Sequence, residues 1–200
     1  MRLVQRDPDL SAYLAADEAI DHHHPRVREV ADRLTARHPG PVAYAEAAFT
    51  FVRDAIEHSM DTGDPRVTWR ASDAIGQRTG ICYAKAHALA ALLRARALPA
   101  ALCYQTFPVV HGLVAVRLPG RTEWIRQDPR GGAPGSAARF SADRERLAFT
   151  VRPEAGEADH PLLYAAPHPA VLRALRSARD VAQLETLLPQ GLDEHDPAVR

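Results

Sequence analysis

The 200-residue sequence predicts an α+β fold in which a cysteine-bearing central helix packs on a small antiparallel sheet that carries a histidine and an aspartate. Three observations predict it. Apolar residues recur at three- and four-residue spacings as far as Ala97, three strand-like runs follow between Ala101 and Gln127, and Cys82 opens the helix that precedes them.

Arg26 to Arg37 carries Val27, Val30 and Leu34 on one side, and Ala43 to His58 carries Ala48, Phe49, Val52 and Ile56, so both read as helices. A Gly/Asp/Pro turn signal after Gly63 precedes Val67, Thr68 and Trp69. Ser72 stands where it can cap a short helix towards Gln77, and a loop is expected from Gly76 to Gly80. From Cys82 to Ala97, CYAKAHALAALLRARA is dense in strong helix formers. Its Leu89, Leu92 and Leu93 form a stripe, and its alanines admit close neighbours, as suits a buried central helix.

Ala101 to Thr106, His111 to Leu118 and Thr122 to Gln127 read as three strands of a meander, the last two parted by Pro119 and Gly120. Gly131 to Ala138 reads as a loop, and Glu154 to Pro169 as a polar, Pro-rich connection across the surface. One final helix is expected from Ala170 to Leu188, with Val171, Leu172, Leu175, Val181, Leu184 and Leu188 on one side.

At 46% hydrophobic and 25% charged residues, a chain of this length buries one sizeable core, so a single domain over 1–200 is expected. Basic and acidic residues balance at 25 each without like-charge blocks, which argues against a nucleic-acid or anionic-membrane partner. A small molecule or a peptide is the expected partner. The charged N-terminus lacks the apolar run of a secretory signal, and no stretch approaches the roughly 20 apolar residues of a membrane span, so a cytoplasmic location is expected. Two cysteines, Cys82 and Cys103, are too few for a disulfide scaffold. Cys103, on an apolar strand, reads as a core thiol.

Gly80-Ile81-Cys82 sets the other thiol at the first turn of a helix, where unpaired N–H groups and the macrodipole favour an anion. A thiolate is stabilised there. A turn centred on Pro119 and Gly120 would set His111 opposite Asp128, on the face that also carries Leu113, Ala115, Trp124 and Arg126. Directly opposed residues have Cβ atoms roughly 4.5–5.5 Å apart, within reach of an imidazole-to-carboxylate hydrogen bond. With the Cys82 helix packed across that face, the three side chains form the nucleophile, base and orienter of acyl transfer.

The stretch from Ala71 through Arg130 resembles the transglutaminase-like core, with a core of about 71–130 within the domain. ASDAIGQRTGICYAKAHALAALLRARALPAALCYQ is similar to that family's cysteine helix and following strand, and HGLVAV and WIRQDPRG to its histidine and aspartate strands. A looser similarity to single-domain bacterial members, proteases or amidases by resemblance, takes in FVRDAIEHSMD and LAFTVRPEAGEADHPLLYAAPHPAV. Two features depart from such relatives: the short connection Thr106 to Val110, and Gly112-Leu113 after the histidine where many members carry a small residue and then an aromatic.

The resemblance implies a papain-like fold without a cofactor, in which Cys82 attacks an amide or ester carbonyl. His111 takes the thiol proton and later protonates the leaving group, while Asp128 keeps His111 in the useful tautomer. The oxyanion would meet the Cys82 backbone N–H and one upstream donor, with Trp69, Arg70 and Gln77 as candidates. His58, Tyr104, Gln105 and Arg130 sit in the family-like segments as further candidates for the cleft. Lys85, one turn after Cys82, suits either support of the thiolate or a substrate carboxylate, or a solvated or ion-paired role.

No metal site is expected. His22-His23-His24 precedes Pro25 without a partner motif and reads as a surface loop, and a zinc site of Cys82, His111 and Asp128 ranks below the triad. Three functions stay open: hydrolysis by a peptidase or amidase, amine-accepting acyl transfer, and a non-catalytic binding module.

Overall fold

The computed structural model describes residues 1–131 and 138–193. Residues 132–137, most of the loop expected from Gly131 to Ala138, lie outside the described residues. Helix α1 (Pro25–Arg37) starts with proline at its first position, where a missing N–H costs nothing, and His24 Nδ1 accepts the Arg26 N–H at 3.2 Å. The histidine tract is a loop before α1, as expected, but only His23 is exposed: His24 is a cap and His22 is buried. Helix α2 (Pro41–Ala55) likewise opens on proline, and α3 (Ser59–Thr62) is a single turn. In α4 (Ala71–Gln77) the cap expected from Ser72 is absent; its N–H bonds instead to Asp21 Oδ1 at 3.0 Å. Gly76 belongs to α4, so the loop before the cysteine shortens to 78–81.

Helix α5 (Cys82–Arg94) is central, as its composition predicts: every residue from Tyr83 to Arg94 is buried. It packs against α1, α2 and α4 and against the sheet. It stops at Arg94, three residues early, because Ala97 turns left-handed (φ 54°) and the N–H groups of Ala97 and Leu98 fold back onto the carbonyls of Arg94 and Leu93, while the Arg94 guanidinium reaches the carbonyls of Ala15, Ala100 and Ala165. A cation at a helix C-terminus meets the negative end of the dipole, and here its N–H groups are shared among three acceptors.

The strands are β1 (Val4–Gln5), β2 (Ala100–Thr106), β3 (Val110–Val116), β4 (Ile125–Gln127), β5 (Ala158–Asp159) and β6 (Leu162–Leu163). The main sheet is antiparallel in the order β4-β3-β2-β5, and β1 pairs in parallel with β6. The stretch from Glu154 to Pro169 is therefore more than a surface connection: β5 occupies the outer edge of β2, and Leu163, Tyr164 and His168 are buried.

The pairing of β3 with β4 departs by two residues from the one expected: Ala115 faces Arg126, not Trp124. The cause is local. Gly120 has φ 76° and Arg121 donates to Leu118 O at 3.1 Å, a turn with Pro119 and then a left-handed glycine in its centre. Such a turn splays its flanks, so pairing resumes only at Ile125. A slip of two leaves every side chain on its original face, since strand side chains alternate with a period of two.

The faces differ in what they cover. Leu102, Tyr104, Val110, Val114 and Val116 join the α5 core, whereas Ala101, Cys103, Leu113 and Ala115 form a smaller cluster with Tyr13 and Leu163. Helix α5 thus lies on the face opposite to the one expected to bear His111. Helix and strand meet instead at their first turns. A Cβ on Gly112 would stand 2.7 Å from Tyr83 Cδ1, and the Tyr83 hydroxyl donates to Val110 O.

The single C-terminal helix expected is two, α6 (Pro169–Ser177) and α7 (Val181–Leu187), because Asp180 leaves the helical path to accept the Gln183 N–H at 2.8 Å. The chain then returns to the sheet, where Pro189 O accepts the Val110 N–H at 2.7 Å. Among the described residues, no helix is long and apolar enough to cross a membrane.

Gly112→Ala is expected to cost about 1–3 kcal/mol, because the buried Tyr83 ring cannot withdraw from the new methyl group. At roughly 2–4 °C per kcal/mol for a chain of this size, thermal denaturation reads the loss; an unchanged midpoint would refute the close-packing argument.

Candidate active site

Cys82 is the first residue of α5 and is partly exposed, with no side-chain cap competing for the N–H groups of the first turn. The loop before it runs through a narrow gap. A Cβ on Gly80 would fall 2.7 Å from Thr68 Oγ1 and 2.8 Å from Ala84 Cβ, so only glycine fits. The end of α2 is stitched to the same loop: Glu57 donates to Arg78 O at 3.0 Å, and Gly80 donates to Glu57 O at 3.1 Å. That pairing brings His58 beside Cys82.

His111 is the second residue of β3, next to the Gly112 contact, as Cys82 is next to Tyr83. Its Nε2 lies 2.9 Å from Asp128 Oδ2. Asp128 has no exposed surface and also accepts the N–H groups of Arg130 at 3.1 Å and Ala148 at 3.0 Å. An ionised carboxylate can only accept, so Nε2 carries the proton and Nδ1 is the nitrogen left for the thiol. The expected contact survives the two-residue slip because His111 and Asp128 keep the same face; the hydrogen bond runs diagonally instead of straight across the ladder.

The electrostatics follow from this packing. Burial raises the Cys82 thiol, but the charge and hydrogen bond of His111, followed by those of His58, outweigh it and bring the pKa down to about 6. Burial pushes His111 down, yet the Asp128 carboxylate and the Cys82 thiolate prevail and raise it to about 10. Burial likewise opposes ionisation of Asp128, and the His111 cation with its hydrogen bonds holds that carboxyl below its ordinary value. Thiolate and imidazolium thus stabilise each other around neutral pH. Cys103 is the opposite case: complete burial raises its thiol, and the charge of Arg126 only partly offsets it.

Cys82 and His111 share a cavity of about 370 Å³, whose wall includes His58, Arg130, Phe107 and Phe149. His58 Nδ1 lies 3.6 Å from Asp61 Oδ1, and Asp61 in turn receives Arg130 through two N–H···O bonds of 2.9 and 3.0 Å. The other residues proposed for the cleft stand outside this wall. Trp69 lies between the guanidinium groups of Arg70 and Arg176, and Gln77 is exposed at the end of α4. Tyr104 is buried, its hydroxyl accepting the His168 N–H at 2.9 Å, and Gln105 donates to Asp159 Oδ1 at 2.9 Å.

Lys85 is neither solvated nor ion-paired. It is buried and donates to the carbonyls of Arg53 and Ile56 at the end of α2, and burial, then Arg130, lowers its pKa to about 8. The residues that sequence reasoning missed are the aromatic flanks of the histidine. Phe149 stands edge-on to His111 at 5.2 Å, and Phe107 lies at 6.3 Å. Phe107 sits in the short connection already singled out, and Phe149 in the family-like stretch LAFTVRPEAGEADHPLLYAAPHPAV, where nothing marks it out from its neighbours. Among the described residues, no group of three or more His, Cys, Asp or Glu side chains is placed to hold a metal ion.

The fold is a papain-like α+β architecture that sets Cys82 and His111 on one cavity. The chain belongs to the transglutaminase-like superfamily, whose core model matches residues 28–129, over half of its length. No curated protein matches it. Among solved structures, a candidate cysteine protease from Cytophaga hutchinsonii is similar at 21% identity and a TM-score of 0.52, covering 62% of this chain and 43% of that one. The ethylmercury-bound periplasmic domain of TgpA from Pseudomonas aeruginosa gives 23% and 0.49, over 62% and 49% of the two chains. Red sea bream transglutaminase gives 11% and 0.47, over 91% and 37%. The chain therefore spans less than half the length of each, and the likeness at these identities is one of fold. Membership of the superfamily supports a cysteine-based catalytic role.

With the Cys82 pKa near 6, iodoacetamide labelling of Cys82 should rise through pH 6 and level off by pH 7–8, while native Cys103 stays unlabelled. Removing the imidazolium in His111→Ala should move the midpoint above pH 8. Equal, slow labelling of both cysteines in the wild type would refute an activated thiol.

Proposed function

We propose that the chain transfers acyl groups from an amide or ester through a thioester on Cys82, with water as the acceptor, as a peptidase or amidase does. The observation that carries this reading is the shared cavity of Cys82 and His111, with His111 held by a fully buried carboxylate 2.9 Å away. Cys82 Sγ attacks the carbonyl carbon, the C–N or C–O bond breaks, and His111 gives its proton to the departing amine or alcohol. Water, deprotonated by His111, then releases the acid and regenerates the thiol. Asp128 holds the imidazole so that Nδ1 faces the sulfur.

The developing oxyanion is met by the Cys82 N–H and, in this reading, by His58. His58 lines the cavity and interacts with the thiol, whereas Trp69, Arg70 and Gln77 do not line it. All 200 residues are read as one domain with its core at about 71–130, and the cytoplasm as a compartment that keeps both thiols reduced.

Two measurements test the reaction. Asp128→Asn replaces an acceptor of three N–H groups by an amide that opposes one of them, and should lower kcat on the order of 10²- to 10⁴-fold with little change in KM. Acyl donors incubated with and without primary amines should yield free acid in both cases by mass spectrometry. A dominant amide product would assign amine-accepting acyl transfer instead, and no covalent adduct on Cys82 under either condition would leave only a binding role.

A further inference from the structure

The walls around Cys82 are built for an acyl group of a particular kind. Beside the thiol and the imidazole stand Met60, Phe107, Val109, Phe149 and Leu188, drawn from α3, the β2–β3 connection, the segment before β5, and the end of α7. Phe107 and Phe149 contact each other edge-on at 5.4 Å, and Phe149 remains 42% exposed. A large ring left half in water at the mouth of a reaction cavity is apolar area that a ligand can cover.

The charged groups of the same wall are already committed. Arg130 is held by both oxygens of Asp61, and Arg152 by both oxygens of Glu157. A carboxylate or carboxamide entering here would have to compete with those intramolecular pairs, and it would give up its own hydration for little return. The short connection Phe107–Val109 is closed on itself by the Phe107 N–H on Val109 O, which holds the Phe107 ring at the cavity wall.

We propose that the acyl donor of this enzyme presents a bulky apolar side chain, aromatic or branched aliphatic, in the Phe107–Phe149 cavity beside Cys82, and that polar side chains such as glutamine's are disfavoured there. This deepens the reading of Cys82 as an acyl-accepting nucleophile and rests on it. Covering this apolar surface removes it from water, which favours the apolar donors by at least about tenfold in kcat/KM or in a second-order labelling rate.

Peptidyl chloromethyl ketones test it without a known substrate, because the thiol displaces chloride from any of them. Rates of Cys82 alkylation are compared for N-acetyl-phenylalanyl, N-acetyl-leucyl, N-acetyl-glycyl and N-acetyl-glutaminyl chloromethyl ketones, with iodoacetamide reporting the reactivity of the thiol itself. The phenylalanyl and leucyl reagents should react at least tenfold faster than the glycyl and glutaminyl ones, and Phe149→Ala should shrink the phenylalanyl-to-glycyl ratio severalfold. Equal rates across the series, or a faster glutaminyl reagent, would overturn the apolar preference even with Cys82 reactive. Slow iodoacetamide labelling that ignores His111→Ala would instead remove the nucleophile, and this inference with it.

Discussion

Helix α5 cannot move relative to β3 without breaking the contact of Tyr83 with Gly112, and the rest of the site is arranged around that constraint. The residue before Tyr83 is the thiol and the residue before Gly112 is the imidazole, so one steric contact between neighbours sets the approach of two reactive groups. The Tyr83 hydroxyl on Val110 O fixes the same junction from the other side of the ring. Farther along the helix, Lys85 ties it to the end of α2 and Arg94 ties its last turn to three carbonyls of separate segments. Burial disfavours the charge on both Lys85 and Arg94, so each depends on these carbonyl acceptors, and any shift of the helix would strand them.

The polar groups near the thiol form a second layer with the same character. From Cys82 the contacts run through His58, Asp61 and Arg130 to the carboxylate of Asp128, and back through His111. Removing one partner of a buried charge pair leaves the other uncompensated, which costs far more than the pair contributes. The site is consequently held as a set, and the low exposure of Asp128 is what makes its three N–H bonds effective against desolvation.

Much of this was legible in the sequence, and the exceptions have physical causes. Helices α1, α2 and α5 follow from apolar spacing and composition, and the pair of His111 with Asp128 follows from a turn at Pro119-Gly120 together with strand alternation. The register was off by two because Pro119-Gly120 makes a turn unsuited to a tight hairpin, yet an even slip spares the face. The break at Asp180 is a capping competition that periodicity does not show. The strands β1, β5 and β6 are two residues each, too short for any pattern, and exist only because another edge receives them. Lys85 misled for a related reason: its type suggests solvent, and only the converging carbonyls of α2 make its burial tolerable. Trp69 and Arg70 stack on one another, so nearness to Cys82 in sequence was no measure of nearness in space.

The segment after α7 is part of the wall beside the reactive sulfur: Leu188 lines the cavity, and the next carbonyl, that of Pro189, is bonded to the N–H of Val110 immediately before His111. Occupancy of the cavity and anchoring of that segment are therefore thermodynamically linked. Whatever fills the space against Leu188 also favours the docked segment over its detached form, and detachment in turn weakens the occupant by the same factor. A ligand held beside Cys82 would thus be coupled to the segment after α7, and a protease that nicks only the detached segment would act as a gauge of how full the cavity is.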